Sequence, residues 1–169
     1  ADTGVFVSEL CLGAMTFGSQ WEMIGALDQK DADTLVNRSL DEGINFFDTA
    51  DVYSSGESEE ILGRSLKGKR QNVIIATKVR GRMGPGANQV GLSRLHIIQA
   101  AEASLKRLGT DYIDLYQLHN PRIDTIEEDE VFHTLDELVE EGKIRHYGVA
   151  LGPDIGWFEE GEASMTERH

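Results

Sequence analysis

With 169 residues, 40% of them hydrophobic and 27% charged, the chain is long enough for one domain with a real core and too apolar for a disordered segment. A formal net charge of −14 argues against nucleic acid or an anionic membrane as partner, because both repel an acidic surface. The single cysteine, Cys11, cannot close an internal disulfide, which points to a reducing, cytoplasmic setting, and no stretch approaches the ~18–20 apolar residues of a membrane span.

The chain begins at Ala1 rather than at a methionine, so it reads as part of something longer. Residues 10–13 predict a short first strand. From Asp31, apolar residues at Ala32, Leu35, Val36 and Leu40 have helical spacing. Gly43 follows, where a helix commonly stops in a left-handed cap. Residues 44–47 predict a second strand. Ile61, Leu62, Ser65 and Leu66 suit a second helix, stopped by Gly68. Residues 73–77 read as a fully buried strand. Ile98, Ala101, Leu105 and Leu108 mark a third helix, stopped by Gly109. Residues 113–118 give the next strand. Thr125 with Glu128 has the pattern of a capping box, in which two side chains satisfy the first amides of a helix. Val131, Leu135, Leu138 and Val139 form the stripe of a fourth helix ending at Gly142, and residues 144–151 predict a fifth strand. After Gly152 come a loop and the start of a helix, with no following strand.

Strands and helices alternate throughout, which calls for parallel strands joined by right-handed crossovers in a single domain, residues 1–169. Two architectures meet that demand: an open doubly wound sheet and part of a (β/α)8 barrel. No GxGxxG follows the first strand, so a dinucleotide-binding sheet has little support. A whole barrel takes ~250 residues, so the expectation is a partial barrel of about five parallel strands and four helices. Loops 17–29 and 80–92 both follow strand ends and overhang the rim. The first carries Trp21 and Met23; Trp21 is either loop packing or a wall against a substrate. The second, with Gly81, Gly84, Gly86 and Gly91, is a flexible connection or a phosphate cradle.

Three strand-like runs end on charged or titratable residues: INFFD on Asp48, VIIATK on Lys78 and IDLYQLH on His119, with Tyr53 five residues past Asp48. An unpaired buried charge costs several kcal/mol, so such endings imply that the charges meet, and in a parallel barrel they meet at the C-terminal rim. A tyrosine titrates near ~10, too high to exchange protons easily at neutral pH. A lysine cation beside it favours the phenolate, an aspartate holds the lysine, and a histidine donates to a carbonyl oxygen. Together they make a general acid over a polarised carbonyl, the machinery of carbonyl reduction. Taken singly each residue has a plainer use: Lys78 as a surface lysine, His119 as a structural histidine, Asp48 as a helix cap, Tyr53 as packing. The other histidines, His96, His133, His146 and His169, read as structural or exposed. No His/Cys pair has ligand spacing, so no metal is expected, and no GxSxG elbow is present.

At these residues the sequence resembles the aldo-keto reductases. The carrying stretches are GINFFDTADVYSSGESEEILG, LCLGAMTFG, IIATKV, GLSRLHII and DYIDLYQLHNPR. The resemblance implies a (β/α)8 barrel and NADPH-dependent reduction of aldehydes or ketones. It places Asp48, Tyr53, Lys78 and His119 on the family's catalytic tetrad. Tyr53 is then proton donor, Lys78 the partner that lowers its pKa, Asp48 the partner of Lys78, and His119 the orienter of substrate. It also puts Ala14, Met15 and Asp48, with Gln20, against the cofactor and Trp21 against a small carbonyl substrate. Ala150 and Leu151 stand where the family often has Ser-Asn to grip the nicotinamide carboxamide; neither side chain makes those hydrogen bonds. The family's last three strands, which hold the cofactor phosphate, have no counterpart after His169. The alternatives are an inactive half-barrel, a homo-oligomer or second chain that completes the barrel, and a non-enzymatic binding or regulatory subunit.

Overall fold

A computed structural model of the chain describes residues 3–20, 25–152 and 158–167. Local chemistry sets the element boundaries. Helix α1, Gln29–Asp41, starts where the Asp28 carboxylate accepts the Asp31 amide at 2.9 Å. Helix α3, Arg94–Leu108, starts where the Ser93 hydroxyl accepts the His96 amide at 3.4 Å, and stops at Gly109 with φ 65°. The expected stop at Gly43 likewise has a positive φ, 84°. These are the capping arrangements that satisfy orphaned amides and carbonyls at helix ends.

The strands are β1 Leu12–Gly13, β2 Phe46–Asp48, β3 Ile74–Val79, β4 Ile113–His119 and β5 Ile144–Ala150. They form one sheet in the order β1-β2-β3-β4-β5, with every neighbouring pair parallel. A doubly wound sheet reverses its strand order at a switch point. This sheet does not, so sequence order and spatial order coincide as in a barrel wall. The remaining helices are α2 Glu57–Ser65, α4 Ile123–Ile126, α5 Asp129–Glu140 and α6 Phe158–Glu167. Beyond the four expected crossover helices lie the single turn α4, which the periodicity does not mark, and α6, which falls where the start of a further helix is expected.

One face of the sheet packs against helices. Phe47, Ile75, Tyr116 and Leu118 meet Leu62, Ile97, Leu135 and Leu138 in the buried core. Some stripes differ from expectation. In α3 the buried residues are His96, Ile97, Ala100, Ala101, Ser104 and Leu108, whereas Ile98 and Leu105 pack at the core margin. Helices α2 and α3 approach closely at one point: a Cβ on Gly63 would lie 2.4 Å from the Leu108 carbonyl oxygen. Leu35 and Val139 are exposed rather than buried. The Thr125–Glu128 capping box does not form. Thr125 lies inside α4, where its amide bonds the Asp124 carboxylate, and Glu128 is itself the residue before α5, with no side-chain cap.

The N-terminal end of the sheet is held by charge. Arg70 donates to Asp114 at 2.6 Å, and Asp114 also accepts the Ile75 amide at 3.0 Å. Arg70 and Arg145 both lie over the Tyr112 ring, at 4.0 and 3.8 Å from its centroid. Among the described residues no helix is long and apolar enough to cross a membrane.

The contact at Gly63 gives a stability prediction. In Gly63→Ala the added methyl meets backbone rather than a movable side chain. The substitution should destabilise by ~1–3 kcal/mol, the usual cost of overpacking, despite alanine's better helix propensity. A lowered urea midpoint with unchanged slope would show it; a midpoint at or above that of the parent protein would refute the close approach.

Candidate active site at the strand ends

Register places the polar strand ends on one face. Asp48 pairs with Ala76, Lys78 with Gln117, and His119 with Ala150. Lys78 is two residues past Ala76, and His119 two past Gln117. Side chains alternate with a period of two along a strand. Asp48, Lys78 and His119 therefore share the face opposite the helix-covered core.

Lys78 is the centre of the cluster. Its side chain is almost wholly buried, and its ammonium donates to Asp48 Oδ2 at 2.6 Å, to the Thr49 carbonyl at 2.8 Å and to the Tyr53 hydroxyl at 3.4 Å. Every ammonium proton thus has an acceptor, as a buried cation requires. Asp48 takes a second, long contact from Gln117 Nε2 at 3.5 Å. The Tyr53 and His119 rings meet edge to face, 6.0 Å between centroids. Burial, then the Lys78 cation, holds the His119 imidazole below the usual histidine range, Asp48 raises it, and Arg80 lowers it further. The imidazole is therefore neutral at pH 7, with one N–H to donate.

Tyr53 depends on a turn with unusual backbone. Ser54 and Ser55 have φ values of 47° and 56°, and Gly56 has 96°, three successive residues in the left-handed region. The two serines each cost on the order of 1–3 kcal/mol there. Surrounding contacts hold the turn. Glu57 accepts the Ser19 amide at 2.8 Å and its hydroxyl at 2.9 Å, and the Ser55 hydroxyl donates to Gln20 at 3.1 Å. From below, Arg107 packs so closely on Gly56 that a Cβ there would lie 2.7 Å from the arginine side chain. Arg107 in turn donates to Glu59 at 2.6 Å, and Glu59, fully buried, accepts the Thr77 hydroxyl at 2.6 Å. One ion pair thus links α3, the tyrosine turn and the residue before Lys78.

Asp51 is the exception to this satisfaction. It is fully buried, and neither carboxylate oxygen has a hydrogen-bond partner in bonding geometry. Burial, then the Glu59 charge, pushes its pKa up to about 7; the Val52 and Arg80 amides and the Arg107 cation pull the other way. His96 is also buried, with Nε2 unpartnered, and burial lowers its pKa. Sequence reasoning missed Asp51, Glu59 and Arg107. The first two lie within the DTADVYSSGESEE stretch, where their spacing resembles that of an ordinary acidic helix start.

The other candidate positions are placed as follows. Ala14 is fully buried; its amide donates to the Asp48 carbonyl at 2.7 Å and its carbonyl accepts from Ser58 at 2.6 Å. Met15 and Gln20 are exposed. Ala150 ends β5, and its carbonyl accepts the Asn120 amide at 2.7 Å. Leu151 is half-buried, against Gly161 of α6. Trp21 and Met23 lie outside the described residues. No group of His, Cys, Asp and Glu able to hold a metal ion occurs among the described residues.

A model of the Aldo/keto reductase family matches residues 9–157. The chain is 42% identical over 154 residues to Aldo-keto reductase YhdN of Bacillus subtilis, covering 89% of this chain and 45% of that protein. It is 40% identical over 152 residues to an Arabidopsis thaliana protein named a probable voltage-gated potassium channel subunit beta, covering 88% and 44%. Among solved structures, the holo form of aldo-keto reductase AKR11C1 from Bacillus halodurans superposes with a TM-score of 0.76 at 42% identity, covering 87% of this chain and 47% of that one. The chain spans about half the length of the curated relatives it matches.

Asp51 gives a pH prediction with a definite sign. Its native pKa lies above that of a free carboxyl, so between about pH 4 and pH 7 the folded state binds more protons than the unfolded one, and stability falls as pH rises through that window. The ionised form costs on the order of 2–4 kcal/mol. Asp51→Asn, which removes the charge and keeps the shape, should flatten this dependence and gain most at pH 8. Urea denaturation at pH 5 and pH 8 measures it; an equal effect at both pH values would refute the assignment.

Proposed function

The chain belongs to the aldo/keto reductase family, a family of oxidoreductases, and from that we propose that it serves NADPH-dependent reduction of aldehydes or ketones to alcohols. The observation that most supports this reading is the Lys78 ammonium, held by Asp48 and directed at the Tyr53 hydroxyl 3.4 Å away. We read residues 1–169 as one domain, working in a reducing, cytoplasmic setting.

On this reading the substrate carbonyl oxygen sits between the Tyr53 hydroxyl and the neutral His119 imidazole. His119 donates its N–H and orients the oxygen. Tyr53 gives its proton to that oxygen as negative charge grows there. Lys78 stabilises the phenolate left behind, and Asp48 keeps the buried ammonium in place and compensated. Solvent then returns a proton to Tyr53. When bound, NADPH supplies the hydride to the carbonyl carbon. The residues fit it in part: Met15 and Gln20 are exposed after β1, Asp48 pairs with Gly13 at the end of that strand, and Ala14 offers little, since both its backbone groups are engaged. At β5 the grip on the carboxamide falls to backbone, and the Ala150 carbonyl shares its lone pairs with the Asn120 amide.

A second reading, a binding or regulatory subunit, draws on the relative named as a potassium channel subunit. The two separate experimentally. Incubation with NADPH and 4-nitrobenzaldehyde should consume cofactor absorbance, and Tyr53→Phe should lower kcat by ~10²–10⁴-fold with little change in cofactor affinity. Lys78→Met should lose a similar factor. A parent protein that neither quenches NADPH fluorescence nor reduces the aldehyde favours the subunit reading. Full activity in Tyr53→Phe would overturn the proton-donor role.

A further inference from the structure

A cavity of about 370 Å³ opens beside His119, walled by Arg80, Arg82, Asn120 and the backbone of Gly81 and Gly91. In a chain with net charge −14, the residues that line it include two arginines and no acidic residue. Arg82 is partly engaged, donating to the Gly84 and Gly86 carbonyls at 3.1 and 3.2 Å. The Arg80 guanidinium makes no hydrogen bond or ion pair among the described residues. Yet its charge is felt at the site, where it lowers the His119 pKa.

The backbone here is strained. The described residues include four non-glycine residues with positive φ: Ser54, Ser55, Arg80 at 148° and Asn120 at 50°. The first two carry Tyr53, and the other two line this cavity. An arginine at a φ that glycine adopts freely persists only where its surroundings force it, and such positions cluster at ligand sites. The strained position lies one residue past the end of β3 and two past Lys78, and Arg80, with no side-chain partner among the described residues, lines the cavity together with His119. Guanidinium forks match carboxylates with two parallel hydrogen bonds.

We propose that this cavity seats a carboxylate carried by the carbonyl substrate, so that the protein prefers aldehydes or ketones bearing a carboxylate over neutral ones of the same shape. This rests on the reductase reading for the word substrate; the anion seat itself rests only on Arg80, Arg82 and the cavity.

Two measurements on the full chain test it. In the first, benzoate is titrated and followed by NMR at the Arg80 guanidinium and the His119 imidazole, with benzyl alcohol as the neutral control. Benzoate should saturate and benzyl alcohol should not, and Arg80→Gly should weaken benzoate roughly ten- to hundredfold, the range of a charge-assisted contact. Glycine accepts the backbone of this position, so Arg80→Gly should fold at least as well as the parent; Arg80→Lys, which keeps the charge, should retain part of the binding. In the second, kcat/KM with NADPH is compared for 4-carboxybenzaldehyde and benzaldehyde. The ratio should exceed ten and fall toward one in Arg80→Gly.

Absent benzoate binding, or binding indifferent to Arg80, overturns the proposal. Inorganic phosphate and NADPH displacing benzoate, with a turnover ratio near one, would assign the seat to a phosphate and overturn its place in substrate selection. Arg80-dependent benzoate binding without reduction of either aldehyde would uphold the anion seat and count against the reductase reading.

Discussion

A buried ammonium group organises the C-terminal end of the sheet. Moving Lys78 out of water costs several kcal/mol unless every proton finds an acceptor in good geometry. The three acceptors come from three places: the end of β2, the backbone just after it and the tyrosine turn. Satisfying one cation therefore fixes the spacing of two strands and the path of the chain from Asp48 to Tyr53. Chemistry and folding here share one requirement. The arrangement that makes the lysine tolerable also sets its charge beside a phenol.

Around that centre, strain and satisfaction divide the structure into two ends. At the N-terminal end of the sheet, Arg70, Asp114, Tyr112 and Arg145 satisfy one another in ordinary backbone conformations. At the C-terminal end lie the left-handed serines, the cavity arginine and a carboxylate with no hydrogen bond. Proteins tolerate such features where function needs them, and stability is recovered elsewhere. The Glu59–Arg107 pair is part of that recovery, since it braces the tyrosine turn from beneath.

Much of the fold was legible in the sequence because apolar period and glycine stops are local signals. Ala32 and Val36 mark the buried face of α1, and Val131, Leu135 and Leu138 that of α5. The alternation βαβα required parallel strands, and the sheet order β1-β2-β3-β4-β5 bears out the expected partial barrel over an open sheet. In α3, Ala101 and Leu108 are buried as the stripe predicts, whereas Ile98 and Leu105 pack at the margin and Ile97, Ala100 and Ser104 take core positions that the periodicity does not mark. The cluster Asp48, Lys78 and His119 was readable from charged strand ends. The roles of Asp51, Glu59 and Arg107 were not, because burial of an acid within a polar stretch leaves no periodic trace. Nor does sequence show that Arg80 occupies a glycine-like conformation; only backbone coordinates carry that.

The even spacing that gathers the three strand-end side chains makes the site sensitive to arithmetic. Adding or deleting one residue in β3 ahead of Lys78 would turn the ammonium to the opposite side of the wall, under α2 and α3, where Thr77 now meets Glu59. Adding or deleting two would preserve the side and shift only the height. Length changes among descendants of this gene should therefore collect in the connecting loops, and any accepted within the wall should come in pairs.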